Sequence, residues 1–160
     1  MDTFDLINEK IVKRNAITSY VLDWRKNKNS IVFTNGCFDV LHYGHINYLA
    51  QAKDLGHKLI IGLNSDESVT RLKGEGRPVN NVQARATLLA ALSIVDAVVV
   101  FEEDTPESLI KQIIPDVLVK GGDYKYEDIV GADYVSANGG LVEVIKFVDG
   151  YSSTEILKKL

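Results

Sequence analysis

Ser30-Ile31-Val32-Phe33-Thr34-Asn35-Gly36-Cys37-Phe38-Asp39-Val40-Leu41-His42-Tyr43-Gly44-His45 passes from a β-branched apolar run into a helical pattern, with two imidazoles three residues apart at the junction. Ile31 to Thr34 reads as a short buried strand. The spacing of Ile46, Leu49, Ala50 and Ala52 predicts a helix from His45 to Leu55, stopped by Gly56. A helix start after a strand offers unpaired backbone N–H groups and the positive end of the helix dipole, while Gly36 and Gly44 permit close backbone approach. Such a junction suits a phosphate, and both histidines can donate hydrogen bonds to it.

Outward from this stretch, four more apolar, β-rich runs follow: Lys58 to Leu63, Ala97 to Phe101, Val117 to Lys120 and Leu141 to Phe147. Helical patterns separate them. One covers Asn15 to Lys26, before the first strand. Another runs from Val82 to Ser93 behind Asn80, with Gln83 three residues on, and a third reaches Ile114 from the cap and N1 proline of Thr105-Pro106-Glu107. Asn64-Ser65-Asp66-Glu67 closes the second strand and opens a helix, with Ser65 or Asp66 as its cap. The alternation predicts an α/β, Rossmann-like, doubly wound sheet of five parallel strands in the order 3-2-1-4-5, with helices on both faces and ligands at the strand carboxyl ends. No linker or repeat divides the chain, so one domain is expected over residues 1–160, with residues 1–29 a helical extension and 30–160 the core. Neither G-x-x-x-x-G-K-[ST] nor a G-x-G-x-x-G after the first strand occurs, which removes the P-loop and dinucleotide readings.

Composition narrows the partners. With 160 residues, 46% hydrophobic and 25% charged, the chain can bury a substantial core. A net charge of −4 argues against broad nucleic-acid binding, so any phosphate site must be locally basic. The cluster Arg71, Lys73 and Arg77, in a glycine-containing segment, supplies such charge. No run is long and apolar enough to span a bilayer, and residues 1–13 are too polar for a secretory signal, so a cytoplasmic chain without membrane attachment is expected. Cys37 is the only cysteine and reads as a packed residue rather than a nucleophile.

His42-Tyr43-Gly44-His45 resembles the H-x-G-H signature of the cytidylyltransferase-like nucleotidyltransferases. Thr34 to His45, Arg71-Leu72-Lys73-Gly74-Glu75-Gly76-Arg77-Pro78 and Lys120-Gly121-Gly122-Asp123-Tyr124 are similar to strings of its heptose 1-phosphate adenylyltransferase branch. The resemblance implies transfer of AMP from ATP to D-glycero-D-manno-heptose 1-phosphate, releasing pyrophosphate, with Mg²⁺ carried by the ATP phosphates. It implies His42, His45 and Lys73 as catalytic residues, Lys73 on a mobile loop that closes over the phosphates. Nucleotide- or phosphate-binding positions would be Thr34, Asn35, Gly36, Cys37, Phe38, Asp39, Gly44, Lys120, Gly121, Gly122, Asp123, Tyr151, Ser152, Ser153 and Thr154. Sugar-phosphate candidates are Asn64, Asp66, Arg71, Arg77 and Arg85, the last pairing either with substrate phosphate or with Asp66. Asp39 either caps a turn or stands beside the phosphate and its metal. Ser152 also fits a capping box with Glu155. A homodimer is expected from the resemblance, and the sugar phosphate must come from a separate enzyme, since no kinase segment is present. Two rival readings are a glycerol-3-phosphate cytidylyltransferase, which shares H-x-G-H, and a non-catalytic nucleotide-binding module.

Overall fold

The computed structural model describes residues 1–160. Five strands form one parallel sheet: β1 (Ile31–Gly36), β2 (Lys58–Asn64), β3 (Ala97–Phe101), β4 (Val117–Gly121) and β5 (Leu141–Ile145). Their order is β3-β2-β1-β4-β5, as the alternating pattern predicts. The chain winds outward from β1 through β2 to β3, then crosses back to β4 beside β1. That reversal opens a crevice at the carboxyl ends of β1 and β4. In register, Val32 and Phe33 face Val117 and Leu118, while Ile31 to Gly36 run beside Lys58 to Leu63.

The core has two layers because successive strand residues point to opposite faces. Ile31, Phe33, Ile60, Val99 and Leu118 face one side, where Ile17 and Val21 of α2 (Ile17–Lys26), Leu109 and Ile113 of α6 (Glu107–Ile113) and Val135 of α7 (Ala132–Ala137) cover them. Val32, Leu59, Ile61, Leu63 and Val119 face the other, under Leu49 and Ala52 of α3 (Tyr43–Lys53) and Ala86 and Leu89 of α5 (Val82–Ala90). Both faces of β1 to β4 are thus largely covered, which is why those strands read as nearly continuous apolar runs, while the edge strand β5 is mostly exposed. No helix is long and apolar enough to cross a membrane.

The structure differs from the sequence reading in several places. Residues 1–29 are not an appended extension. A first helix, α1 (Thr3–Asn8), precedes a segment whose Lys10 carbonyl accepts from the Val98 N–H while the Val12 N–H donates to the Val98 carbonyl. This segment covers the free edge of β3, and Val12 is buried. Helix α5 is capped by Asn81 rather than Asn80: its side chain accepts from the Ala84 N–H at 2.9 Å. Pro106 occupies the cap position of α6, so Thr105 caps nothing. A helix α4 (Asp66–Lys73), capped by Ser65, extends through Lys73, and α8 (Ser153–Leu157) ends the chain. The Lys73 segment is therefore the last turn of a helix, and irregular chain starts only at Gly74. Ser152 accepts from the Glu155 N–H at 3.0 Å, which is half of the expected capping box.

Candidate active site

The β1–β4 crevice opens into a cleft of about 600 Å³. One wall is the loop from β1 into α3. His42 takes extended backbone geometry at the cap position of α3, and His45 sits one turn in. The two rings stack with centroids 3.7 Å apart and an interplanar angle of 24°. The His42 backbone N–H donates to His45 Nδ1 at 3.3 Å, satisfying one of the orphan donors of a helix start. Because Nδ1 accepts, the neutral ring carries its proton on Nε2, leaving that N–H free to donate. Burial, with His42 beside it, pulls the His45 pKa down to about 4. Burial lowers that of His42 as well, and its Nδ1 is buried without a partner. At neutral pH the pair consists of uncharged donors. Gly44 provides clearance: a Cβ there would lie 3.0 Å from the His42 ring and 3.1 Å from the Tyr151 Cβ.

Asp39, 2% exposed, anchors the loop rather than reaching for substrate. Its Oδ1 accepts from the Val79 N–H at 2.7 Å and the Asn80 N–H at 3.1 Å, and its Oδ2 accepts from Arg77 Nε at 2.6 Å. Burial raises its pKa, but these hydrogen bonds from Asn80, Arg77 and Val79 outweigh it and hold the carboxyl below its ordinary value. The carboxylate thus caps a turn remote in sequence while still lining the cleft.

The cleft also holds cations. Lys73, on the last turn of α4, and Lys120, at the end of β4, line the cleft and have no ion-pair partner. Burial pulls the Lys120 pKa down, opposed by Cys37, and its Nζ lies 4.8 Å from the Tyr124 ring centroid. Lys120 is half-buried with no carboxylate beside it, so a bound anion would relieve its charge, whereas Lys73 is exposed to solvent. Cys37 also lines the cleft, with its thiol pKa pushed up by burial against the pull of Lys73, which fits a packed residue.

Asn35, Gly36, Phe38, Asn64, Arg77, Gly121, Tyr151, Ser152, Ser153 and Thr154 join this lining as anticipated. Others do not. Thr34 is fully buried and hydrogen-bonded to the Tyr48 hydroxyl, because as a strand residue it points into the sheet-helix layer. Gly122 and Asp123 lie beyond the lining, where the chain has already turned away from β4. Arg71 bonds Asp104 at 2.8 Å and the Glu102 carbonyl, so its charge is spent outside. Arg85 is 1% exposed: its guanidinium donates to the carbonyls of Cys37, Asn64 and Asn80 and to Asp66 Oδ1, all at 2.7–2.9 Å. Of the alternatives for Arg85, the structure gives Asp66, and neither residue faces the cleft. Arg85 instead ties the ends of β1 and β2 to the start of α5.

Tyr124, the end of the Lys120–Tyr124 string, also lines the cleft, whereas sequence reasoning missed Tyr48 and Phe147. Tyr48 had a signal, since three residues after His45 it shares that residue's helical face. Its hydroxyl also donates to the Val119 carbonyl at 3.3 Å, and burial, offset in part by Thr34, raises its pKa to about 12. Phe147 had none, because it read as the end of a strand.

For Mg²⁺, the cleft offers two carboxylates, Asp39 and Asp104, already paired with Arg77 and Arg71, and no group of three His, Cys, Asp or Glu side chains is arranged to hold a metal. This donor set fits an ion that arrives on triphosphate oxygens and keeps its waters, not a protein cage.

The family profile described as cytidylyltransferase-like matches residues 33–159. The Bifunctional protein HldE of Haemophilus ducreyi is 52% identical over 150 residues, which is 94% of this chain and 32% of that protein. The same-named protein of Shewanella denitrificans is 59% identical over 130 residues, or 81% of this chain and 27% of that one. The chain thus spans about a third of the length of the curated relatives it matches. Among solved structures, the lipopolysaccharide core biosynthesis protein from Thermoplasma volcanium superposes with a TM-score of 0.62 at 27% identity, covering 78% of this chain and 99% of the other. A pantoate-beta-alanine ligase from Francisella tularensis, at 14% identity over 94% of this chain and 73% of its own, shares the fold with a TM-score of 0.59.

Proposed function

This chain belongs to the cytidylyltransferase-like family, and on that premise we propose that it transfers AMP from ATP to D-glycero-D-manno-heptose 1-phosphate, giving ADP-heptose and pyrophosphate. The observation that carries the reading is the stacked, uncharged His42–His45 pair at the start of α3, which shares one cleft with two lysines free of ion pairs. A sugar-phosphate oxygen attacks the α-phosphorus, its bond to the bridging oxygen breaks, and pyrophosphate leaves with that electron pair. Negative charge grows on the equatorial oxygens, where preorganised N–H donors stabilise it at no cost in reorganisation. His45 Nε2 is such a donor because His42 holds its Nδ1. Lys73 and Lys120, in the same cleft, neutralise the phosphates. A Mg²⁺ ion bound by the triphosphate would draw charge from the departing pyrophosphate.

The test is pyrophosphate release measured with ATP, CTP, GTP and UTP against both anomers of heptose 1-phosphate and against glycerol 3-phosphate. ATP with a heptose 1-phosphate should be fastest. His45→Ala should then lower kcat by roughly 10²-fold or more with the fold intact, the scale for loss of one preorganised donor. A clear win for CTP with glycerol 3-phosphate refutes the substrate assignment, and a fully active His45→Ala variant refutes the mechanism.

A further inference from the structure

Thr70-Arg71-Leu72-Lys73, the last turn of α4, has no apolar anchor: all four residues are exposed, Leu72 among them at 51%. The buried residues of the helix, Ser68 and Val69, lie in the turn before. Beyond the turn the chain is looser still, because Gly74 and Gly76 take φ of +97° and +84° and nothing lies within 4 Å of where their Cβ atoms would stand. Lys73 nonetheless lines the cleft: burial pushes the Cys37 thiol pKa up, and the Lys73 ammonium pulls against it. What holds this turn is polar. Arg71 reaches across to the connection between β3 and α6, where its Nε donates to Asp104 Oδ1 at 2.8 Å and its Nη2 donates to the Glu102 carbonyl. That connection is itself tied down, since the Glu103 carbonyl accepts from Ser68 Oγ at 3.2 Å and the Glu103 carboxylate accepts from Arg14 Nη1 at 3.1 Å. Asp104 lines the same cleft as Lys73, yet its bond goes to Arg71. An exposed ion pair of this kind contributes little to folding, because water competes for both partners. Removing it therefore leaves the fold and releases the turn.

We propose that Arg71 is a positioning residue: it straps the last turn of α4 to the β3–α6 connection and thereby fixes where Lys73 stands in the cleft. The inference rests on the proposed reaction, in which Lys73 neutralises the phosphates. Arg71 touches no reacting atom, and its effect passes through Lys73. Placement of such a group matters to rate more than to binding, because a shift of about 1 Å costs up to about 10²-fold in turnover.

The experiment reads amide hydrogen exchange on the free chain beside pyrophosphate release from ATP and heptose 1-phosphate. In Arg71→Ala the Gly74 N–H, which closes the turn on the Thr70 carbonyl at 2.9 Å, should exchange roughly 3-fold faster or more, with Tm within about 3 °C of wild type. The kcat should fall about 10-fold or more, while the Kd for the α,β-methylene analogue of ATP, with Mg²⁺, rises less than about 3-fold. Arg71→Lys, which keeps the charge and one donor, should fall between. Lys111→Ala, which removes a similarly exposed pair with Glu107, should match wild type. In a Lys73→Ala background, Arg71→Ala should lower kcat no further. Unchanged exchange at Gly74 overturns the strap, and an undiminished kcat, or a loss that persists in full without Lys73, overturns the positioning role. Wild-type chain that releases no pyrophosphate overturns the proposed function, and exchange at Gly74 then still decides the strap.

Discussion

His42 and His45 carry different duties although they stack. His45 is both the deeper ring and the acceptor for the His42 N–H, so protonating its Nδ1 would break a cap and place a charge in a poorly solvated site. Its folded pKa of about 4 lies below the ordinary 6.5. The unfolded chain therefore takes up a proton through the interval between them while the native chain does not. With more protons bound to the unfolded state, stability falls as pH drops from about 6.5 toward 4. His42 adds in the same direction, whereas the depressed carboxyl of Asp39 acts only below its ordinary 3.8. Urea unfolding of His45→Gln at pH 7 and pH 5 should show a smaller loss between the two than wild type does. Equal losses would mean that His45 titrates normally in the folded protein.

At the scale of elements, the cleft depends on a latch between two loops distant in sequence. Asp39, after β1, accepts from Arg77, Val79 and Asn80, between α4 and α5, while the Asn80 side chain returns a bond to the Asp39 carbonyl at 2.9 Å. The latch fixes the chain just beyond Lys73 and so limits where the end of α4 can swing. Asp39→Asn keeps an oxygen for the backbone donors but turns an amide N–H₂ toward Arg77. The expected result is a stability loss on the order of 1–3 kcal/mol, with faster hydrogen exchange at Val79 and Asn80. Under the proposed mechanism turnover should fall more than nucleotide affinity does, because Lys73 would lose its placement. Unchanged exchange at Val79 and Asn80 would show that the loop is held by other contacts.

For the whole molecule, the distribution of charge matters more than its sum. The chain carries a net −4, yet the cleft presents Lys73 and Lys120 unpaired, with the cleft carboxylates already bound to arginines. A polyanion is thus attracted by a local field against a weak opposing background, and that attraction is screened by salt. Raising NaCl from about 0.05 to 0.5 M, over which the Debye length shrinks severalfold, should weaken binding of the ATP analogue. Lys73→Gln should both weaken binding and flatten this dependence. A Kd independent of salt in wild type would place the triphosphate away from the two lysines.

Periodicity and turn chemistry were enough to read the architecture from the sequence. Five apolar runs separated by helical patterns specify a parallel sheet covered on both faces, and Thr34 to His45 marks the end where its cleft opens, because these signals are local. The start of α5 at Val82 was legible but its cap was not, and α6 begins one residue late, since Asn80 and Asn81, or Thr105 and Pro106, offer nearly equivalent caps until tertiary contacts choose. The candidate site was legible where a residue's neighbours in sequence are also its neighbours in space: His42, His45, Lys120, and Ser152 and Ser153 at the start of α8. It was illegible where long-range contacts set the role. Asp39 and Arg77 meet across 38 positions, and Arg85 draws in acceptors from Cys37, Asn64, Asp66 and Asn80, spending a charge that its residue type alone would assign to a phosphate. The N-terminal segment came to cover the free edge of β3, and Phe147 to line the cleft beside Gly121, only because the folded chain brought β3 and β4 alongside them. Local interactions decided which elements form, and burial with side-chain hydrogen bonding across the sheet decided which of their polar groups remain free to act.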